Sequence, residues 1–323
     1  MNNVLINACG IKSLGGINVL KSSIENINQH SNVSLLVSDE KIKNELSLSN
    51  KIDTIVTVHK PRYMHPFLSL FLSKDLRDWI NSFDITIHFA NFGFKTKTKD
   101  ILFVQNILPH SNIEKNARNY ILRFFINRSI SFASIVVVQN EHVIKYLPGK
   151  FRTKIKNIGV LSESSVKASK HQGIIAISND LKYKNVDLIE KVMKKVREKM
   201  DCDLNITLIT DKKENITNTE ISYISNLSPK EIDSELKRHS IFFHASAVET
   251  LCLPILEAQS KGLVVVAPNL DYANNAVQNK DYLYEYINIE DATEKIFEAI
   301  SDSDLLKSVS IKVYRENWGS ILK

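Results

Sequence analysis

Short β-branched runs alternate along this chain with apolar positions at helical spacing. Val4–Asn7 reads as a strand and Gly10–Gly16 as the loop after it, while Ile17, Leu20, Ile24 and Ile27 mark a helix. Val33–Val37 and Ile52–Val58 predict two further strands, separated by a polar helical stretch that begins near Ser38 and Asp39. Ile85–Phe89 and Ile101–Gln105 follow, split by a loop over Asn91–Asp100. A long helix is expected over 114–132 and a buried-type strand at Ile135–Val138. Such alternation predicts an α/β fold with mostly parallel strands and helices on both faces.

Periodicity is lost over Gly159–Gln172, which is polar and rich in Ser and Lys and reads as a linker. Beyond it the pattern restarts. Strands are expected at Ile174–Ser178, Leu204–Thr210, Ile241–His244 and Leu263–Ala267. Helices are expected at Val186–Lys199, Ser228–Arg238, Pro254–Lys261, Ala273–Gln278 and Asp291–Ser301. The chain thus divides into a domain over 1–160 and a second over 161–304, with a C-terminal helix at about 305–323 expected to pack back on the first. Two α/β sheets in tandem imply a cleft, with ligands at the carboxyl ends of the strands.

Composition adds bounds. At 323 residues, 43% of them hydrophobic, the chain can bury two cores. Three scattered cysteines, Cys9, Cys202 and Cys252, argue against a disulfide framework or zinc ribbon and fit a reducing, cytosolic compartment. The first residues lack a signal peptide's basic start, and no stretch reaches the roughly 18 apolar residues of a membrane span. Charge is uneven: residues 1–160 hold 21 Lys and Arg against 11 Asp and Glu, whereas the rest hold 21 against 25. A basic first half fits an anionic surface or substrate, and equally fits a Lys-rich composition without function.

The stretch richest in chemistry is His244–Pro268, HASAVETLCLPILEAQSKGLVVVAP. A strand ends at His244, a loop carries Glu249, and Pro254 opens a helix with Glu257 in its expected first turn. A helix start with unpaired N–H groups attracts phosphate, and a carboxylate there can accept the paired hydroxyls of a ribose. The same pattern also suits a buried strand–turn–helix whose glutamate only complements the dipole.

The run from Glu249 to Glu257, followed by Lys261-Gly262-Leu-Val-Val-Val-Ala, resembles the E-x7-E signature of family 4 (group 1) retaining glycosyltransferases. The resemblance implies the GT-B fold, two facing Rossmann-like domains with parallel sheets and a central cleft. It gives Glu249 to the donor sugar, Glu257 to the ribose, and the amides of Leu251, Cys252 and Leu253, beside Thr250, to the diphosphate. Thr250 and Cys252 stand where the family carries glycine. Gly15 and Gly16 resemble the glycine pair after the family's first strand, and Lys184, in Tyr-Lys184-Asn, resembles its diphosphate-binding lysine. The companion arginine position is unfilled, with Asn179 or Asp180 nearby and Lys182 as a substitute. His110, after the fifth strand, is the candidate for the first domain's catalytic histidine, its alternative being a surface loop histidine.

The resemblance implies a metal-independent, retaining hexosyltransferase. It would use a nucleotide-diphosphate donor, UDP-sugar first, and a glycan or lipid-linked oligosaccharide acceptor in bacterial polysaccharide or O-antigen synthesis. The alternative is a non-catalytic sugar-nucleotide-binding or scaffold subunit. No cofactor is expected, because the nucleotide-sugar is a substrate. No nucleic-acid motif occurs, and no His/Asp/Glu grouping has metal spacing; Asp201-Cys202-Asp203 precedes a strand and reads as a turn. Apolar and basic clusters at 61–80 and 115–128 fit peripheral attachment to the inner face of the cytoplasmic membrane, or else core residues beside solvated charges.

Overall fold

The computed structural model describes residues 1–11, 14–46, 52–60, 62–169, 173–200, 204–211, 221–303 and 308–322. Two compact units form, Met1–Val160 with Arg315–Lys323, and Leu161–Tyr314. No described helix is long and apolar enough to cross a membrane.

The first unit holds strands β1 (Asn2–Asn7), β2 (Ser31–Val37), β3 (Thr54–Thr57), β4 (Ile85–His88), β5 (Lys99–Val104), β6 (Ile135–Val138) and β7 (Ile155–Asn157). They form one sheet in the order β3-β2-β1-β4-β5-β6-β7, parallel throughout. Alternation along each strand divides the core. Val4, Ile6, Val33, Leu35 and Val37 pack on one face, and Leu5 and Leu36 on the other.

Within the polar segment expected to be a linker, Gly159–Lys167 is instead a strand, β8, and residues 170–172 lie outside the described residues. After it come β9 (Ile174–Ile177), β10 (Ile206–Ile209), β11 (Ser222–Ile224), β12 (Ile241–Phe243), β13 (Val264–Pro268) and β14 (Leu283–Tyr284), in the order β11-β10-β9-β12-β13-β14. These pairings are also parallel. Ile174, Ala176, Ile241, Phe243, Val264 and Val266 face the helices Val186–Lys199 and Ile289–Ser303; Ile175, Phe242, Val265 and Ala267 face the opposite cluster with the helix Leu253–Ser260. Both sheets run outward in both directions from their first strand, the doubly wound order, which leaves a switch point between β1 and β4 and another between β9 and β12.

A further correction concerns the C-terminus. No helix spans 305–323 among the described residues; β15 (Ser308–Glu316) pairs with β8 in a two-stranded sheet, and only Gly319–Leu322 is helical. The tail belongs to the first unit: Trp318, Ile321 and Leu322 enter its core, the Asn2 side-chain amide donates to the Leu322 carbonyl at 2.7 Å, and the Asn317 amide to Ile158 at 2.8 Å.

Candidate functional site

In the second unit the chemistry gathers at the carboxyl ends of β9 and β12, either side of the switch point. The chain leaving β9 turns through Lys182–Lys184 to Asn185, whose left-handed backbone (φ 53°) opens the helix Val186–Lys199. The Asn185 side chain donates to the Ala245 carbonyl at 2.8 Å and lies 3.0 Å from the Tyr286 hydroxyl, while the Ala247 amide donates to the Tyr183 carbonyl at 2.8 Å. These bonds tie the Tyr-Lys-Asn turn to the loop that follows β12. Lys184 Nζ thereby reaches Glu249 Oε1 in an ion pair whose side chains are 17% and 14% exposed. Burial acts to lower the Lys184 pKa, but the Glu249 carboxylate overrides it and the pKa is raised.

The loop closes on Cys252, whose backbone is left-handed (φ 58°, ψ 62°) and which caps the helix Leu253–Ser260 without a side-chain bond. That conformation is costly for a residue with a Cβ and free for glycine. Leu251, Cys252 and Leu253 thus precede the helix's own ladder, which starts with the Ile255 amide on the Cys252 carbonyl at 3.1 Å. At the far end of this helix Gly262 (φ +82°) makes the turn into β13, and a Cβ there would lie 2.2 Å from the Lys167 carbonyl.

His244 supports the loop from beneath. It is 2% exposed, stacks on Phe242 (centroids 6.0 Å, 20°) and meets the Tyr272 edge at 5.8 Å. Its Nε2 lies 3.3 Å from Cys252 Sγ and 3.8 Å from Glu249 Oε1. Burial, with the Lys184 charge adding to it, pushes the imidazole down to about 3. Burial, together with Glu249, holds the Cys252 thiol well above the usual range. No metal pattern is legible in the spacing His-x4-Glu-x2-Cys, yet the fold places the three donor atoms within 4.8 Å of one another.

The neutral histidine has a consequence for stability. Above its ordinary value of 6.5 the group is neutral folded or unfolded and contributes no pH dependence. Below that, the unfolded chain gains a proton that native His244 refuses until about pH 3, so stability falls on acidification, by up to about 1.4 kcal/mol per pH unit. Denaturant unfolding at about pH 7.5 and 5.5 is expected to show this loss in the parent and a smaller one in His244→Gln. Equal losses in both would show that His244 is not its source.

Other candidate residues fall elsewhere. Glu257 lies in the second turn of its helix, not the first, because the helix starts one residue before Pro254. Its exposed side chain has its pKa raised, through partial desolvation with Asp233 adding to it and Lys261 opposing. Thr250 is in the loop between Glu249 and the helix start. Gly15 and Gly16 lie not in a loop but in the first turn of the helix Leu14–Ile27, and the space beside Gly15 is open. His110 is not a surface histidine: it is 5% exposed on the turn Leu108–His110, with Nε2 3.0 Å from Asn127 Oδ1. Burial, reinforced by Arg123, lowers its pKa. Asp201, Cys202 and Asp203 lie outside the described residues. Sequence reasoning also missed the buried pair His88–Asp100, 3.2 Å apart on β4 and β5, with Asn7 3.1 Å from the same ring. Only Gly93 fits against it, since a Cβ there would sit 2.2 Å from the ring.

No curated protein matches the sequence. Solved structures do match in fold. A mutant of S. aureus TarM, in complex with fondaparinux, alpha-GlcNAc-glycerol and UDP, gives a TM-score of 0.68 at 12% identity, covering 94% of each chain. Anabaena HepE with UDP-glucose gives 0.68 at 13% identity over 94% of this chain and 91% of that one. Sucrose-phosphate synthase from Thermosynechococcus elongatus gives 0.68 at 9% identity over 94% and 90%. The fold is therefore GT-B, two Rossmann-like domains, and residues 159–316, which hold the Lys184–Glu249 site, match the family of glycosyl transferases group 1.

Proposed function

We propose that the protein is a metal-independent glycosyltransferase that moves a hexose-type sugar from a UDP-sugar to a glycan or lipid-linked acceptor with retention. One observation carries this reading: Lys184 and Glu249, 65 residues apart, meet at the β9/β12 switch point beside the start of the helix Leu253–Ser260. The match to group 1 glycosyl transferases over this region, and the UDP and UDP-glucose complexes of TarM and HepE, favour the same donor class.

In the proposed mechanism the diphosphate lies against the amides of Leu251, Cys252 and Leu253, where the helix dipole favours negative charge. Lys184 moves from Glu249 onto the diphosphate, or spans both, and stabilises the departing nucleotide. Glu249, so released, accepts hydrogen bonds from the sugar hydroxyls, and Glu257 accepts those of the ribose. Gly15, Gly16 and His110 remain the candidates we propose within the first unit, where burial lowers the His110 pKa. The unfilled arginine position favours the second reading, a binding subunit without turnover. A panel of nucleotide-sugars, read by release of free nucleoside diphosphate in the presence of EDTA, tests both. Release from a UDP-sugar with chelator present is expected; no release from any donor, or release only after Mg²⁺ or Mn²⁺ is restored, overturns the reading.

The acceptor assignment, in bacterial polysaccharide synthesis at the inner membrane face, draws on a surface of the first unit. Leu68 and Leu72 are core, but Phe67, Leu70 and Phe71 are exposed, as are Tyr120, Ile121 and Phe124 on the helix Ala117–Phe132. Phe67 packs edge-on against Phe125 at 5.1 Å, which joins the two stretches, with Arg118 and Arg128 exposed on the same helix. Such an apolar patch with basic neighbours suits an anionic leaflet, at about 1 kcal/mol per basic residue. The protein should sediment with anionic vesicles and be released by salt, and Arg118→Glu with Arg128→Glu should weaken it. Equal binding to neutral vesicles, or none to either, contradicts the attachment.

A further inference from the structure

We infer that His244, Glu249 and Cys252 form a binding site for a soft divalent cation, for which zinc is the best fit. The inference holds whether or not the loop also receives a sugar donor.

The three side chains present an imidazole nitrogen, a carboxylate oxygen and a sulfur. Nε2 to Sγ is 3.3 Å and Nε2 to Oε1 is 3.8 Å, with all three atoms within 4.8 Å. A tetrahedral zinc, with bonds of about 2.3 Å to sulfur and 2.0–2.1 Å to nitrogen and oxygen, sets its ligand atoms roughly 3.3–3.6 Å apart. The two separations from Nε2 lie within a few tenths of an ångström of that range, and the sulfur and the carboxylate oxygen, within 4.8 Å of each other, close by a turn of the Glu249 side chain. Sulfur and imidazole together select zinc over magnesium or manganese, which prefer all-oxygen sites.

Surrounding packing holds the donors in place. His244 is fixed between Phe242 and Tyr272, and its own carbonyl accepts the Tyr284 hydroxyl at 3.0 Å. Cys252 is held at the helix start by a backbone that glycine would adopt with less strain. Access comes from the Glu249 side, where the carboxylate and Lys184 retain some exposure. On binding, the Cys252 thiol gives its proton to solvent and sulfur bonds the metal. The Lys184 ammonium, still protonated, yields the Glu249 oxygen it now holds, so cation and lysine compete for one carboxylate. Water takes the fourth position.

Cobalt, which binds such sites and is coloured, provides the test in the full chain. Titration with Co²⁺ should produce a thiolate-to-metal charge-transfer band at one equivalent, and Zn²⁺ should abolish it. Cys252→Gly suits the left-handed backbone and so keeps the fold, checked by circular dichroism. It should lose the band and weaken Zn²⁺ binding on the order of 100-fold or more, beyond the loss typical of outer-shell changes. Lys184→Met should tighten Zn²⁺ binding, because the competitor for Glu249 is gone. Cys9→Ala and Cys202→Ala should keep the band. No band at millimolar Co²⁺, or a band that survives in Cys252→Gly, overturns the site.

Discussion

Lys184→Met is expected to lower sugar transfer by about 10²–10³-fold in kcat, the loss found when one charge-stabilising donor is removed from an active site. The proposed chemistry makes a nucleoside diphosphate depart, and this residue supplies a full positive charge in a mostly dehydrated position. Its raised pKa keeps it charged throughout the neutral range. Methionine preserves the length and the apolar contacts of the stem, so the change is mainly electrostatic. It also leaves Glu249 without that partner, and breaking a buried pair can destabilise the fold. For that reason kcat should be measured on folded protein, with donor KM alongside. A variant that keeps parental kcat would remove Lys184 from the mechanism.

Trp318→Ala is expected to destabilise the first unit by about 3–5 kcal/mol, the usual range for emptying a buried aromatic site. Trp318 is fully buried, stacks on Phe89 (6.4 Å, 22°) and meets Phe103 edge-on at 5.4 Å. Its indole N–H donates to Glu316 Oε2 at 2.7 Å. The same carboxylate accepts from Ser23, and through Oε1 from Gln139 at 3.0 Å. Alanine would therefore leave both a cavity and a buried carboxylate short of a donor. Hydrogen exchange at β1 and β4 can follow this unit alone. Protection within about 1 kcal/mol of the parent would contradict the role given to the C-terminal tail.

What the sequence made legible follows burial. Val33–Val37, Ile135–Val138 and Val264–Pro268 lie inside parallel sheets, so their β-branched runs announce them. Strands β8 and β15 have largely exposed or half-buried residues, and each is specified by its partner about 150 positions away, which no local window registers. The helix Leu253–Ser260 starts one residue earlier than its proline suggests, because Pro254 is its second position. Glu249 and Lys184 were marked by resemblance; their meeting needed the sheet order. His244 carried no signal beyond ending a strand, since its contact with Cys252 depends on a left-handed turn that cysteine rarely makes. His110 looked like a loop residue because its burial comes from Asn127 and the neighbouring helix.

The central claim is that the loop from Glu249 to Glu257 receives a nucleoside diphosphate. Isothermal calorimetry of UDP with the parent and with Glu257→Ala tests it without requiring the acceptor. The account predicts one UDP per chain and at least about a tenfold weaker affinity in Glu257→Ala, because charge-assisted hydrogen bonds of about 1.5–3 kcal/mol each are lost. No binding of UDP, GDP or ADP to the parent, or equal affinity in the variant, would contradict it.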